Sequence, residues 1–254
     1  MASVDRLAEA LRSAGSGVVF TGAGVSTASG IPDFRGEGGV WDRHDKADFH
    51  FDRFQRDPAG FWTDRLALQE TMYGGIDPTP NAAHEALAGL AADGFLEAIV
   101  TQNVDGLHAD AADEVADHEL VELHGSARAV VCRNCGDRSP AGPVFERARD
   151  GERPPTCEQC GGVLKPDVVL FGERLDPTVL DQARDLARQA DVFLAVGSSL
   201  TVEPAASLPR LARRTCGTLA VVNLDETPYS DRATFDVRAD VTEVLPELHA
   251  AVTE

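Results

Sequence analysis

The stretch TGAGVSTASGIPDFRG, residues 21 to 36, is a glycine turn that runs at once into an acid, an aromatic and an arginine. Gly22, Gly24 and Thr27 follow the apolar run GVVF. The chain there is expected to turn tightly and to offer backbone N–H groups and a helix start to a pyrophosphate. The last glycine of the dinucleotide fingerprint is missing. So is the acid that would grip the adenine ribose about 20 residues on, at the end of the next strand: Asp42, Asp45 and Asp48 lie at that distance but in no recognisable strand. Hydride transfer is therefore disfavoured. Pro32 fixes the backbone, Asp33 and Arg35 supply an acceptor and a guanidinium, and Phe34 could cover a reactive face against water. The plainer alternative is a loop with a buried phenylalanine and a surface ion pair.

Three further clusters carry chemistry. In TQNVDGLH, residues 101 to 108, Gln102, Asn103 and Asp105 follow the apolar run EAIV, where amide and carboxylate groups could read a carboxamide and ribose hydroxyls. His108 reads as a packing or capping residue. VELHG ends a short apolar run in His124, which at a strand end could titrate near neutrality and act as a general base, or could be structural. GSS at 197 to 199 and VNLDE at 222 to 226 close two more apolar runs with residues suited to a ribose and phosphates.

CRNC at 132 to 135 and CEQC at 157 to 160 form two Cys-x2-Cys knuckles, each followed by glycine. Cys132, Cys135, Cys157 and Cys160 are expected to hold one structural Zn2+. With four thiolates, no position is left for water or substrate. Cys216 reads as an ordinary, at least partly buried residue.

These residues need strand ends to present them. Short β-rich runs at 17–20, 97–103, 167–172, 191–199 and 218–224 alternate with helical patterns at 81–94, 177–190 and 203–217. The pattern predicts an α/β fold: a doubly wound, parallel, Rossmann-like sheet with ligands beyond its carboxyl edge. The expected division is a nucleotide-binding domain from 1–36, 79–125 and 166–254, a helical insertion at 37–78 and a small zinc-binding module at 126–165.

The 254 residues suffice for one large domain with insertions. The amino terminus has helical apolar spacing (Val4, Leu7, Leu11) and lacks a secretory pattern, and no apolar run approaches a membrane span, so a cytoplasmic protein is expected. The 42 acids against 23 bases give a net charge of -19, and Lys46 and Lys165 are the only lysines. Such a surface repels nucleic acid and anionic membranes and suits a salt-rich cell, where screening suppresses self-repulsion.

GAGVSTASGIPDFRG, TQNVDGLH, ELHG, the paired knuckles, KPDVVLFGE, GSSL and VNLDET occur together and in order. From about residue 17 to 245 the chain resembles the sirtuins, NAD-dependent protein lysine deacylases. The resemblance implies that NAD is a co-substrate, cleaved between nicotinamide and ribose. It places Gly22, Ala23, Gly24, Thr27, Asp33, Phe34 and Arg35 along NAD, and Gly197, Ser198, Ser199, Asn223, Leu224 and Val241 on the adenosine side. Gln102 lies near the nicotinamide ribose, and Asn103, Val104 and Asp105 form the nicotinamide pocket, with Asn103 and His124 as catalytic residues. The acyl-lysine carbonyl oxygen attacks C1′ as nicotinamide leaves, Phe34 excludes water, and His124 acts as base on a ribose hydroxyl. The products are deacylated lysine, nicotinamide and O-acyl-ADP-ribose.

The same resemblance has Val169, Leu170, Phe171 and Gly172 pair with the substrate peptide as an added strand. Trp62 and Arg65 occupy positions where succinyl- or malonyl-selective relatives carry a Tyr-x-x-Arg pair. Arg65 could hold an acyl carboxylate, but the plainer reading is a core tryptophan and a surface arginine, and deacetylation is the first expectation. Two rival readings stay open: an ADP-ribosyltransferase using the same NAD cleavage, and a zinc-ribbon module binding a protein or nucleic acid.

Overall fold

The computed structural model describes residues 2–34, 39–112, 119–215 and 217–254. Arg35 and Cys216 lie outside the described residues. The strands are β1 (Gly17–Thr21), β2 (Ala98–Thr101), β3 (Glu119–Glu122), β4 (Gly125–Cys132), β5 (Arg138–Pro140), β6 (Leu164–Val168), β7 (Val192–Val196), β8 (Thr218–Val222) and β9 (Phe235–Val237). The helices are α1 (Ala2–Ser13), α2 (Val40–Arg43), α3 (Phe51–Arg56), α4 (Pro58–Tyr73), α5 (Ala82–Ala92), α6 (Leu107–Ala112), α7 (Ala141–Arg149), α8 (Pro177–Gln189), α9 (Leu208–Arg214) and α10 (Val241–Thr253).

Among the described residues, six strands form a parallel sheet in the order β3-β2-β1-β7-β8-β9. This is the doubly wound Rossmann order, whose direction reverses between β1 and β7. Both faces are apolar, which is why the strands read as unbroken hydrophobic runs. Val19, Ile99, Leu194 and Ala220 pack on one face under α1, α5 and α10, while Phe20, Val100, Phe193 and Val221 pack on the other under α8 and α9.

The register aligns Thr21 with Thr101 and Val196, and Val196 with Val222. The residues just beyond these four positions therefore emerge at one edge.

The run DVVLFG does not join the parallel sheet. β6 ends at Val168 and belongs to a separate antiparallel sheet, ordered β5-β4-β6, that carries the four cysteines. Beyond Val168 the chain leaves the strand, and the buried Lys165 ammonium donates to the carbonyls of Pro166 (3.1 Å) and Val168 (2.6 Å).

α4 and α7 pack with this small sheet around one apolar cluster that includes Phe61, Trp62, Phe145 and Leu164. No helix among the described residues is long and apolar enough to cross a membrane.

Candidate active site

The carboxyl ends of β1 and β7 approach so closely that side chains are excluded. Gly24 N–H donates to the Gly197 carbonyl at 2.9 Å, and Gly22 N–H to Val196 at 3.1 Å. A Cβ on Gly22 would lie 2.8 Å from the Ser198 Cβ, and one on Gly197, which sits at φ +57, would lie 2.6 Å from the Val25 nitrogen. These glycines open the crevice at the switch point. Beyond the turn the chain departs from expectation: short 3-10 turns at Ala23–Val25 and Thr27–Ser29 stand in place of a helix start. The second turn ends in Gly30 at φ +87, and Pro32 cannot donate to a continuing helix.

A cavity of about 520 Å3 runs along this edge. Of the residues singled out from the sequence, Gly22, Ala23, Gly24, Thr27, Asp33 and Phe34 line it on the β1 side, and Gly197, Ser198, Ser199, Asn223, Leu224 and Val241 on the β7 and β8 side. Gln102, Asn103, Val104 and His124 form its floor, and Val169, Leu170, Phe171 and Gly172 one wall. Asp105 lies off the main cavity, in an adjoining small pocket of about 20 Å3 that it shares with Asn103 and Phe34.

Trp62 is not in the cleft. It is fully buried, donates its indole N–H to the Leu164 carbonyl at 2.9 Å and meets the Phe145 ring at 5.2 Å. An indole with its donor satisfied inside an apolar cluster has no reason to turn toward solvent.

His124 follows β3, and its Nδ1 lies 2.9 Å from the Gln102 carbonyl. A carbonyl can only accept, so Nδ1 carries the proton and Nε2 keeps its lone pair. Burial holds the imidazole below the usual histidine pKa, with the Gln102 bond opposing that shift. Burial thus favours the neutral ring.

Behind it, a polar network fixes the loop after β2. Ser26 Oγ donates to Asp105 Oδ2 at 2.8 Å and accepts from Asn103 Nδ2 at 3.0 Å. Asp105 Oδ1 accepts from Leu107 N–H at 2.9 Å. His84 Nε2 lies 3.4 Å from Ser26 Oγ. Gln102 Nε2 donates to Ser198 Oγ at 2.9 Å, joining the loops after β2 and β7 across the crevice.

Ser26 and His84 escaped the sequence reading. Ser26 sits inside the glycine motif, and His84 also caps α5, its Nδ1 accepting from Asn81 N–H at 3.3 Å. Also missed were Trp41, Leu68, Met72, Tyr73 and Glu173, all of which line the cavity. For α4 a signal existed, because Arg65, Leu68, Met72 and Tyr73 fall at helical spacing on one stripe.

The thiol groups of Cys132, Cys135, Cys157 and Cys160 all lie within 4.8 Å of one another, with Sγ–Sγ separations of 3.5 Å (Cys132 to Cys160) and 3.8 Å (Cys135 to Cys157). Zinc–sulfur bonds of about 2.3 Å in a tetrahedron require edges of about 3.8 Å. The quartet thus fits a structural zinc ion. Gly136 and Gly161, at φ +77 and +71, close the two knuckles.

Fold and cleft together define a protein of the doubly wound class with a deep crevice at the switch point and a histidine lining it. The Sir2 family model matches residues 22–204. The chain belongs to the Sir2 family. It is similar to the NAD-dependent protein deacetylase of Haloarcula marismortui, with 57% identity covering 97% of this chain and 93% of that one. The deacetylase of Sulfolobus acidocaldarius is 41% identical over 96% of this chain and 92% of its own. Among solved structures, a Sir2 with a p53 peptide and NAD+ superposes with a TM-score of 0.85 at 35% identity, covering 96% of each chain. A Sir2 variant with a deacetylated p53 peptide and 3′-O-acetyl-ADP-ribose gives 0.86 at 35%, covering 98% and 97%.

Proposed function

We propose how this NAD-dependent protein deacetylase divides its reaction among the residues of the cleft. The carrying observation is the His124 imidazole, whose Nδ1 proton is committed to Gln102 while the side chain lines the cavity. Its Nε2 takes the proton of a ribose hydroxyl, which then accepts the acetyl group. Asn103 and Asp105, held by Ser26, orient the carboxamide of the leaving nicotinamide, with Val104 beside them. Gly22, Ala23, Gly24 and Thr27 bind the phosphates, and Asp33, Phe34 and Arg35 cover the sugar. Gln102 holds the nicotinamide ribose, while Gly197, Ser198, Ser199, Asn223, Leu224 and Val241 hold the adenosine. Val169 to Gly172 pair with the acetyl-lysine peptide. Cys132, Cys135, Cys157 and Cys160 hold zinc, which has no role in bond making.

The division into a nucleotide-binding domain, a helical insertion at 37–78 and a zinc module at 126–165 is part of this reading. So is a cytoplasmic, high-salt setting, supported by the thiolate quartet, the charge of -19 and the Haloarcula relative. The same acidity argues against direct nucleic-acid binding.

One observation favours a second acyl class. Arg65 is buried, lines the cavity, leaves its Nε without a hydrogen-bond partner and touches the Phe145 ring at 5.5 Å. Burial depresses its pKa. A carboxylate on the acyl chain, as in succinyl-lysine, would satisfy it. Trp62, turned into the core, offers no help.

Mass spectrometry of the protein with NAD, high salt and acetyl-, propionyl- and succinyl-lysine peptides tests the reading. Nicotinamide and O-acyl-ADP-ribose are expected in equal amounts. Nicotinamide without acyl transfer would instead indicate an ADP-ribosyltransferase or an NAD glycohydrolase.

A further inference from the structure

Trp41, in α2, packs against two rings that line different parts of the cavity. Its ring stacks on Phe34 at 5.6 Å between centroids (26° between planes) and meets the edge of Phe171 at 5.3 Å (63°). Phe49, buried beneath, holds the indole from a third side at 5.9 Å. The backbone repeats the connection: Val40 N–H donates to the Asp33 carbonyl at 3.0 Å, Trp41 N–H to Phe34 at 3.3 Å, and Phe171 N–H to Phe49 at 3.2 Å. Phe171 is 37% exposed, so a peptide laid along its strand would cover it.

We propose that Trp41 is the positioning residue that ties the peptide groove to the ring shielding the sugar. This rests on the roles given above to Phe171 and Phe34. A seated acetyl-lysine peptide covers Phe171, presses the indole against Phe34 and keeps Phe34 over C1′ while nicotinamide departs. Without the indole, water reaches C1′. The C1′–nicotinamide bond then breaks with its electron pair leaving on nicotinamide, a water oxygen bonds to C1′, and a proton is released. The products are ADP-ribose and nicotinamide, with the lysine still acetylated.

The test is the partition of NAD between O-acetyl-ADP-ribose and free ADP-ribose in Trp41→Leu, Trp41→Phe and the unaltered protein, at saturating acetyl-lysine peptide. Losing the Phe34–Trp41 stack should raise free ADP-ribose relative to O-acetyl-ADP-ribose by about two- to tenfold in Trp41→Leu. It should raise the peptide KM by a similar factor, and Trp41→Phe should restore most of both. Phe171→Ala, at a partly exposed position, should reproduce the partition with the core untouched. Unchanged partition in both Trp41→Leu and Phe171→Ala overturns the inference. Absence of both products from the unaltered protein overturns instead the site reading on which it rests.

Discussion

The carbonyl of His124 accepts the Val169 amide proton at 2.9 Å. The proposed base and the first residue of the peptide-pairing segment are therefore joined through one main-chain bond, and the ring of the same histidine is held by Gln102. A shift of the peptide strand is felt at the base directly.

Replacing His124 by alanine should lower deacetylation by about 10²–10⁴-fold, the worth of a positioned base, with the zinc content and melting profile unchanged. In the unaltered enzyme the base must be neutral. Because burial places its pKa below the ordinary value of 6.5, the acid limb of kcat/KM should lie below pH 6.5. A limb above that pH would assign the titration to another group.

The buried Lys165 pairs at 3.0 Å with the half-buried Glu173, whose Oε2 also accepts from Leu170 N–H at 3.0 Å. Lys165→Met leaves the carboxylate without its cation and should destabilise by about 1–3 kcal/mol. The double variant Lys165→Met with Glu173→Gln should recover part of that loss. Chemical denaturation of the four proteins completes the cycle, and additive losses would rule the coupling out.

His84 is fully buried, and desolvation lowers its pKa to about 4, against the pull of Asp105 and Asp110. Below pH 6.5 the unfolded chain gains a proton at this site that the folded chain refuses, so acid favours unfolding. The loss should grow between about pH 6.5 and 4, reaching about 3 kcal/mol. His84→Gln should flatten the slope of unfolding free energy between pH 7 and 5. An unaltered slope would refute the assignment.

Chelating the metal should dissolve the small sheet and expose Trp62, whose indole bonds to Leu164 on β6. A red shift in tryptophan emission together with loss of activity is expected. Retained emission would mean that the sheet stands without its metal.

Lowering the salt should also weaken the fold, since the charge of -19 is then unscreened. Melting temperature should rise with potassium chloride, and a flat response would remove the high-salt reading.

The glycine turn, the thiolate quartet and the strand ends were legible because each rests on local chemistry: a backbone that excludes side chains, a ligand spacing, an apolar run. Trp62 reads as a core tryptophan, which it is, but the burial of Arg65, read as a surface arginine, and the place of Trp41 were not legible. Both stand in the aromatic segment between β1 and α5, and only the packing of α4 on β6 turns one into the core while α2 brings the other to the cleft. Ser26 and His84 were hidden for a different reason. Asn103 and Asp105, the partners of Ser26, lie far along the chain and meet it only when β1 and β2 pair, and His84 reaches the same hydroxyl from α5.

Helix α4 and the small sheet with α7, separated in sequence by α5, β2, α6 and β3, share one apolar cluster through Trp62, Phe145 and Leu164. They are a single inheritable part. A chimera that transplants the cysteine segment from a relative without its α4 leaves an indole facing a foreign strand, whereas exchanging both together preserves the seam. Recombination between family members should therefore succeed only when its crossovers keep these two segments from the same parent.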